Sequence, residues 1–123
     1  MRNKKILVVD DDPNIRELLQ VNLQAAGYDV RLATDGSEAL DRLRQEQLDC
    51  LILDVMMPDT DGWEVLKTVR DQYPGVRIVM LTARDKPRDR MIGKDILGAD
   101  EYLTKPFDTE VLIRTLEEVC HEE

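Results

Sequence analysis

Six side chains in this sequence could act together as a reactive centre. Asp10, Asp11 and Asp12 are consecutive and close one apolar run, Asp54 closes another, and Thr82 and Lys105 stand where two further runs turn polar. Carboxylates crowded into a partly desolvated place repel, and the repulsion raises a pKa unless a cation sits among them. With oxygen ligands and no histidine or thiolate nearby, the cation that suits them is hard, and a site with room for water and a phosphate suits Mg²⁺. Lys105 adds a fixed positive charge and Thr82 a hydroxyl. A metal, an ammonium and a hydroxyl around one carboxylate are what phosphoryl transfer needs, because its transition state is served by positioning and charge neutralisation. Asp54 is then the nucleophile, and an aspartyl phosphate is the product. Taken singly, the same residues have ordinary roles: the acids as caps, Thr82 as a strand residue, Lys105 as a solvated charge. Only a fold that gathers them would change that reading.

The elements needed to gather them alternate along the chain. Residues 4–9 read as strand one, and Pro13 after Asp12 marks a helix start with Asp12 as N-cap. Ile15, Leu18, Leu19, Leu23 and Ala26 recur near helical period up to Gly27. Residues 28–33 form a half-buried edge strand, with Val30 and Leu32 alternating against Asp29 and Arg31. Asp35 and Gly36 then open a helix bearing Ala39, Leu40 and Leu43. The stretch from Leu51 to Gly62, LILDVMMPDTDG, is a buried strand that ends at Asp54 and breaks into the turn residues Pro58, Asp59, Asp61 and Gly62. A third helix is expected from Asp61, with Val65, Leu66, Val69 and Tyr73 on one face. Residues 76–82 are another buried strand. The charged segment 86–97 reads as a helix with only Met91, Ile92 and Ile96 to bury, which predicts shallow docking. Residues 100–104 make a last short strand, and Asp108 caps a helix whose Leu112, Leu116 and Val119 face inward.

Five β-α repeats with short connections and nearly continuous apolar strands predict an α/β fold. It is a doubly wound five-stranded parallel sheet, flavodoxin-like (βα)5, with strand order 2-1-3-4-5. In that order strands one and three are neighbours roughly 4.8 Å apart, so Asp10, Asp11 and Asp54 converge. They do so outside the carboxyl ends of the strands, where open α/β sheets collect ligands.

Composition narrows the classes further. The 123 residues suit one domain, 1–123, and 42% hydrophobic content is enough for a single core. A formal charge of −9, from 17 basic and 26 acidic residues, opposes direct binding of nucleic acid or anionic membrane. No run approaches membrane-spanning length and the start lacks a signal-peptide pattern, so a cytoplasmic location is expected. Cys50 and Cys120 make neither a metal framework nor an obvious disulfide and read as small hydrophobes. His121, the single histidine, lies third from the end, which argues against a Ser-His or Cys-His pair. Glycine-rich dinucleotide or nucleotide loops are missing, and Trp63 reads as a helix-start packing residue.

ILVVDDDP, LILDVMMPDTDG, VMLTAR and GADEYLTKPF occur in that order and cover the chain from Lys4 to the last helix. In these motifs the chain resembles a response-regulator receiver domain, CheY-like in standing without an output domain, of two-component signal transduction. The resemblance implies Asp54 as phospho-acceptor, Asp11 as a direct Mg²⁺ ligand, Asp10 acting mostly through water, and Met56 contributing its backbone carbonyl. It implies that Thr82 and Lys105 bind phosphoryl oxygens, that small Ala83 leaves the approach open, and that Lys105-Pro106 is cis. It further implies a switch in which Thr82 moves toward the phosphate and Tyr102 turns into the vacated space, altering the face of helix four, strand five and helix five. Partners would be a sensor histidine kinase or phosphotransfer protein, and a downstream protein target or a second copy of the chain. One departure stands out: four residues, KDIL, separate Gly93 from Gly98 where the family pattern has three. The extra residue either rotates the downstream part of the helix by about 100° or forms a bulge.

Two other readings use the same residues. Asp10 and Asp12 form a DxD after an apolar strand, as in phosphatases of the haloacid dehalogenase type, though Asn14 stands where that pattern has Thr or Val. GADEYLTKPF followed by an amphipathic helix also resembles the receiver half of a DNA-binding transcriptional regulator.

Overall fold

The computed structural model describes residues 3–57 and 60–120, with residues 57, 60 and 61 described through their backbone alone. Five strands alternate with helices: β1 Lys5–Val9, α1 Pro13–Ala25, β2 Asp29–Ala33, α2 Gly36–Gln45, β3 Cys50–Leu53, α3 Gly62–Gln72, β4 Arg77–Thr82, α4 Pro87–Arg90, β5 Glu101–Thr104 and α5 Thr109–Cys120. All five strands pair in parallel in the order β2-β1-β3-β4-β5. The expected doubly wound sheet is therefore the one formed.

Two core layers explain why the strands are apolar at nearly every position. Leu7, Val9, Leu51, Leu53, Ile78 and Met80 pack on one face with Ala39, Leu43, Val65, Leu66 and Val69 from α2 and α3. Ile6, Val8, Cys50, Ile52, Val79 and Leu81 pack on the other with Leu19, Leu23, Leu112 and Leu116 from α1 and α5. Side chains alternate across a strand, so a sheet covered on both faces demands continuous hydrophobic runs. Cys50 and Cys120 are free thiols buried in the second layer. Among the described residues no helix is long and apolar enough to cross a membrane.

Helix starts follow their caps. The Asn14 amide donates to Asp12 Oδ1 at 2.9 Å, that of Glu38 to Asp35 Oδ1 at 2.8 Å and that of Glu110 to Asp108 Oδ1 at 2.8 Å. The third helix begins at Gly62 rather than Asp61, because Thr60–Asp61 pairs antiparallel with Met56–Met57 in a short ribbon. A Cβ at Gly62 would lie 2.2 Å from Val55 Cα, so only glycine lets that ribbon close against the segment following Asp54. Tyr73 falls one residue past the end of α3 and packs against the core from there. Pro58, Asp59 and His121 lie outside the described residues.

The largest correction concerns residues 86–97. Only Pro87–Arg90 is α-helical; Met91–Ile96 is a π-helical turn, closed by the Leu97 amide on the Ile92 carbonyl at 2.9 Å. The additional residue before Gly98 is taken up as a bulge, since a π-turn holds one residue more than an α-turn. Met91 and Ile96, expected to face inward, are 47% and 64% exposed. Asp89 and Gly93 turn inward instead, with Leu97 packed at the edge of the core.

Candidate functional site

Register brings the acids together. Val9 and Leu53 are partners across β1 and β3, and the next residue on each chain is Asp10 and Asp54. Backbone bonds continue the ladder one step beyond the strands, from the Asp10 amide to the Ala33 carbonyl at 3.2 Å and from the Asp54 amide to the Val9 carbonyl at 3.1 Å. Both side chains are buried, whereas Asp11 is exposed, and carboxylate oxygens of all three lie within 4.8 Å of one another. Asp12 points away into its capping role.

Lys105 completes the cluster from the far side of the sheet. The Lys105 amide donates to the Thr82 carbonyl at 2.8 Å, which fixes the start of the segment after β5, and the Lys105-Pro106 peptide is cis. The Lys105 ammonium donates to Asp10 Oδ2 at 2.6 Å and to Asp54 Oδ2 at 2.9 Å. The remaining oxygens are held by main chain: Asp10 Oδ1 by the Asp12 amide and Asp54 Oδ1 by the Met56 amide, each at 2.9 Å. Met56 thus touches Asp54 through its backbone, and its side chain is half exposed.

Electrostatics follow from this crowding. Burial pushes the Asp10 carboxyl above its usual range, although its bonds to Lys105 and to the Asp12 amide pull the other way. Burial alone would lower Lys105, but its bonds to Asp10 and Asp54 and their charges outweigh it, so the ammonium is held more firmly protonated. Three carboxylates against one ammonium leave two negative charges in excess. A divalent cation with a preference for oxygen fits that excess and that donor set.

Thr82 is fully buried and sits opposite Thr104 across β4 and β5, with its hydroxyl accepting a long 3.4 Å bond from the Arg84 amide. Tyr102 faces inward and is fully buried, its hydroxyl donating to the Arg84 carbonyl at 2.7 Å. Burial, with a contribution from Asp89, pushes that phenol upward, so it stays a donor. Arg84, which its place two residues after Thr82 marks in the sequence as a residue that could influence access of water to a phosphate, is a hub of this region. Its guanidinium pairs with the buried Asp89 at 3.0 Å and lies 6.0 Å from the Trp63 ring. Asp89 and Gly93 were missed because a charged run carries no signal for which of its members turns inward.

A sheet of this order with acids and a lysine at its carboxyl edge defines a class, and the family comparison names it. A family model described as the response regulator receiver domain matches residues 6–117, and the chain belongs to that family. Receiver domains are regulatory parts of two-component response regulators, and the acidic cluster of this chain is of the kind at which they bind Mg²⁺. Over 105 residues the chain is 53% identical to the alkaline phosphatase synthesis transcriptional regulatory protein PhoP of Bacillus subtilis (strain 168), covering 85% of this chain and 43% of that protein. The chain therefore spans less than half the length of this curated relative. Chemotaxis protein CheY4 of Vibrio cholerae superposes with a TM-score of 0.89 at 42% identity, covering 96% of this chain and 99% of the other. A two-component response regulator from Clostridium difficile gives a TM-score of 0.92 at 26% identity over 98% of both chains. The haloacid dehalogenase-type reading of Asp10 finds no support in these matches.

Proposed function

We propose that residues 1–123 form one receiver domain, a cytoplasmic switch that accepts a phosphoryl group onto Asp54 from a sensor histidine kinase or phosphotransfer protein. The observation that carries this reading is the ammonium of Lys105 shared between Asp10 and Asp54, with Asp11 beside them. An Asp54 carboxylate oxygen attacks the phosphorus of a phosphohistidine. The new P–O bond forms as the P–N bond breaks, and the electron pair returns to the imidazole. Lys105 exchanges its bond to Asp54 for one to a phosphoryl oxygen, and Thr82 supplies a hydroxyl to another. Asp10, Asp11, Asp54 and the Met56 carbonyl would hold Mg²⁺, which supplies neutralising charge to the phosphoryl oxygens. Dephosphorylation is a separate step: a water oxygen attacks phosphorus, the bond between phosphorus and the Asp54 oxygen breaks with its electron pair returning to the carboxylate, and inorganic phosphate leaves.

The output follows from the connection between Thr82 and Tyr102. Thr82 lies two residues beyond Met80, the partner of Tyr102 in the β4–β5 ladder, so a pull on the Thr82 hydroxyl is felt in the packing of the ring. A small charge event then biases a two-state element. The face affected includes Arg90, Tyr102, Leu103, Phe107 and Val111, between α4, β5 and α5. It would bind a downstream protein or a second copy of the chain, with no direct contact to nucleic acid or membrane. A second version has a specific support: PhoP is a transcriptional regulatory protein and extends well beyond the matched region. This chain would then be the receiver half of a DNA-binding regulator.

Calorimetric titration with Mg²⁺ tests the site. The wild type should bind one ion, and Asp11→Ala should lose at least about tenfold in affinity, the scale seen when a metal's carboxylate shell is disturbed. Undiminished binding by Asp11→Ala would remove the metal from this cluster.

A further inference from the structure

The three clustered acids are not held alike. Lys105 and main-chain amides anchor the carboxylates of Asp10 and Asp54. Asp11 is exposed, and among the described residues no hydrogen bond reaches its carboxylate. One of its oxygens still stands within 4.8 Å of the other two acids, so the main chain on either side of Asp11 must set its place.

The peptide that follows Asp11 is fixed by the Asp12 amide, which donates to Asp10 Oδ1 at 2.9 Å. The peptide that precedes it is fixed by a side chain of α1: Arg16 Nη1 donates to the Asp10 carbonyl at 2.8 Å. Asp10 is buried one step past the end of β1, where an unpaired carbonyl is costly, and the guanidinium supplies its partner. Helix geometry explains the reach. Arg16 is the fourth residue of α1, and its own amide closes the first turn on the Asp12 carbonyl at 3.1 Å. Helical side chains lean toward the amino end, so the guanidinium extends back past Asp12 to Asp10. Among the described residues Arg16 forms no ion pair, which leaves the main chain as what it holds. A peptide unit is planar, so holding the Asp10 oxygen also directs the Asp11 amide and Cα.

We propose that Arg16 is a positioning residue for the metal site: its bond to the Asp10 carbonyl fixes the peptide between Asp10 and Asp11 and keeps the Asp11 carboxylate turned into the cluster. The consequence for the ion rests on the Mg²⁺ site proposed above, but the fixed peptide exists without metal. Charge and position predict opposite effects. A guanidinium repels a dication, so losing its charge alone would tighten binding. Losing its bond loosens Asp11 and weakens binding, and the direction of the change separates the two roles.

Arg16→Met removes the donor while keeping the stem and a good helix former. In calorimetric titration its Mg²⁺ affinity should fall about tenfold, the low end of what outer-shell partners of a metal site contribute. In the metal-free protein ¹⁵N relaxation should show the Asp11 amide losing order, from ~0.85 in the wild type, the level of rigid backbone, towards ~0.6 in the variant. The Asp54 amide, held by the Val9 carbonyl at 3.1 Å, should stay rigid in both. Arg16→Gln, whose donor lies closer to the helix, should repeat both changes and is the variant measured should methionine unfold the chain. Unfolding of both variants overturns the proposal in favour of a purely structural residue. An Arg16→Met protein that binds Mg²⁺ as tightly as the wild type, or more tightly, also overturns it, as does an Asp11 amide that keeps its order. A wild type that binds no Mg²⁺ counts against the metal site itself, and the amide measurement then decides alone whether Arg16 holds the peptide.

Discussion

Replacing Lys105 by methionine removes the ammonium and keeps most of the stem, leaving the Asp10 and Asp54 carboxylates facing each other without their shared partner. The bridge is largely sheltered, with Lys105 19% exposed and the two acids 3% and 7% exposed. Two unit charges within 4.8 Å of each other repel by at least about 3 kcal/mol at an effective dielectric constant near 20. Breaking a buried ion pair from one side costs a similar amount, about 3–5 kcal/mol. In a domain of this size about 3 kcal/mol corresponds to a fall in Tm of roughly 10 °C. The pH dependence has a definite sign. The Asp10 carboxyl already stands above its ordinary 3.8 through burial, against the pull of Lys105, and losing the ammonium raises it further. An acid whose folded value exceeds its unfolded value penalises folding above the folded value, and the penalty fades as pH falls toward the unfolded one. Urea denaturation at pH 7 should therefore show the full loss, and at pH near the unfolded value a much smaller one. Mg²⁺ should rescue the variant by more than it stabilises the wild type, since ion and ammonium compete for the same oxygens. A saturating ion at a hundred times Kd returns about 2.7 kcal/mol. Equal stability of Lys105→Met and wild type at pH 7 without Mg²⁺ would refute the reasoning.

Three further substitutions separate structure from chemistry. Asp12→Ala should cost about 1 kcal/mol in urea denaturation, the worth of an N-cap, and leave Mg²⁺ affinity unchanged, because its side chain accepts from the Asn14 amide. Asp100→Ala should cost about 2 kcal/mol, since that carboxylate holds Arg70 at 3.0 Å and the Ile78 amide at 2.7 Å. It lies at the amino end of β5, across the sheet from Asp54, so adduct formation at Asp54 should proceed at the wild-type rate. Gly62→Ala should cost at least about 3 kcal/mol, because the methyl group meets backbone at Val55; a thermal melt matching the wild type would show that the Met56–Asp61 ribbon can move aside.

The strands were legible because a sheet covered on both faces leaves little choice of residue: Ile6 to Val9, Leu51 to Leu53 and Ile78 to Leu81 are buried without exception. Asp12 and Asp108 were legible as caps because the amides they accept from lie two residues away, and Asp35, read only as opening its helix, caps it in the same way from three residues away. The acidic cluster was legible once strand order was inferred, since Asp10 and Asp54 each come directly after a strand. Other features depend on packing over long sequence separations. That Lys105 bridges both acids is set by residues 95 and 51 positions apart. In the charged run 86–97 hydrophobicity pointed to Met91 and Ile96, yet the π-turn turns Gly93 inward and leaves those two in solvent. A four-residue spacing before Gly98 announced an irregularity, and the fold takes up the extra residue in the π-turn Met91–Ile96, with Gly93 buried in it.

The most direct test of the central claim is intact-mass spectrometry after incubation with Mg²⁺ and acetyl phosphate. One phosphoryl adduct should appear on the wild type, depend on Mg²⁺, and be missing from Asp54→Asn. An adduct that survives in Asp54→Asn and disappears in Asp10→Asn would contradict the assignment and move the nucleophile to β1.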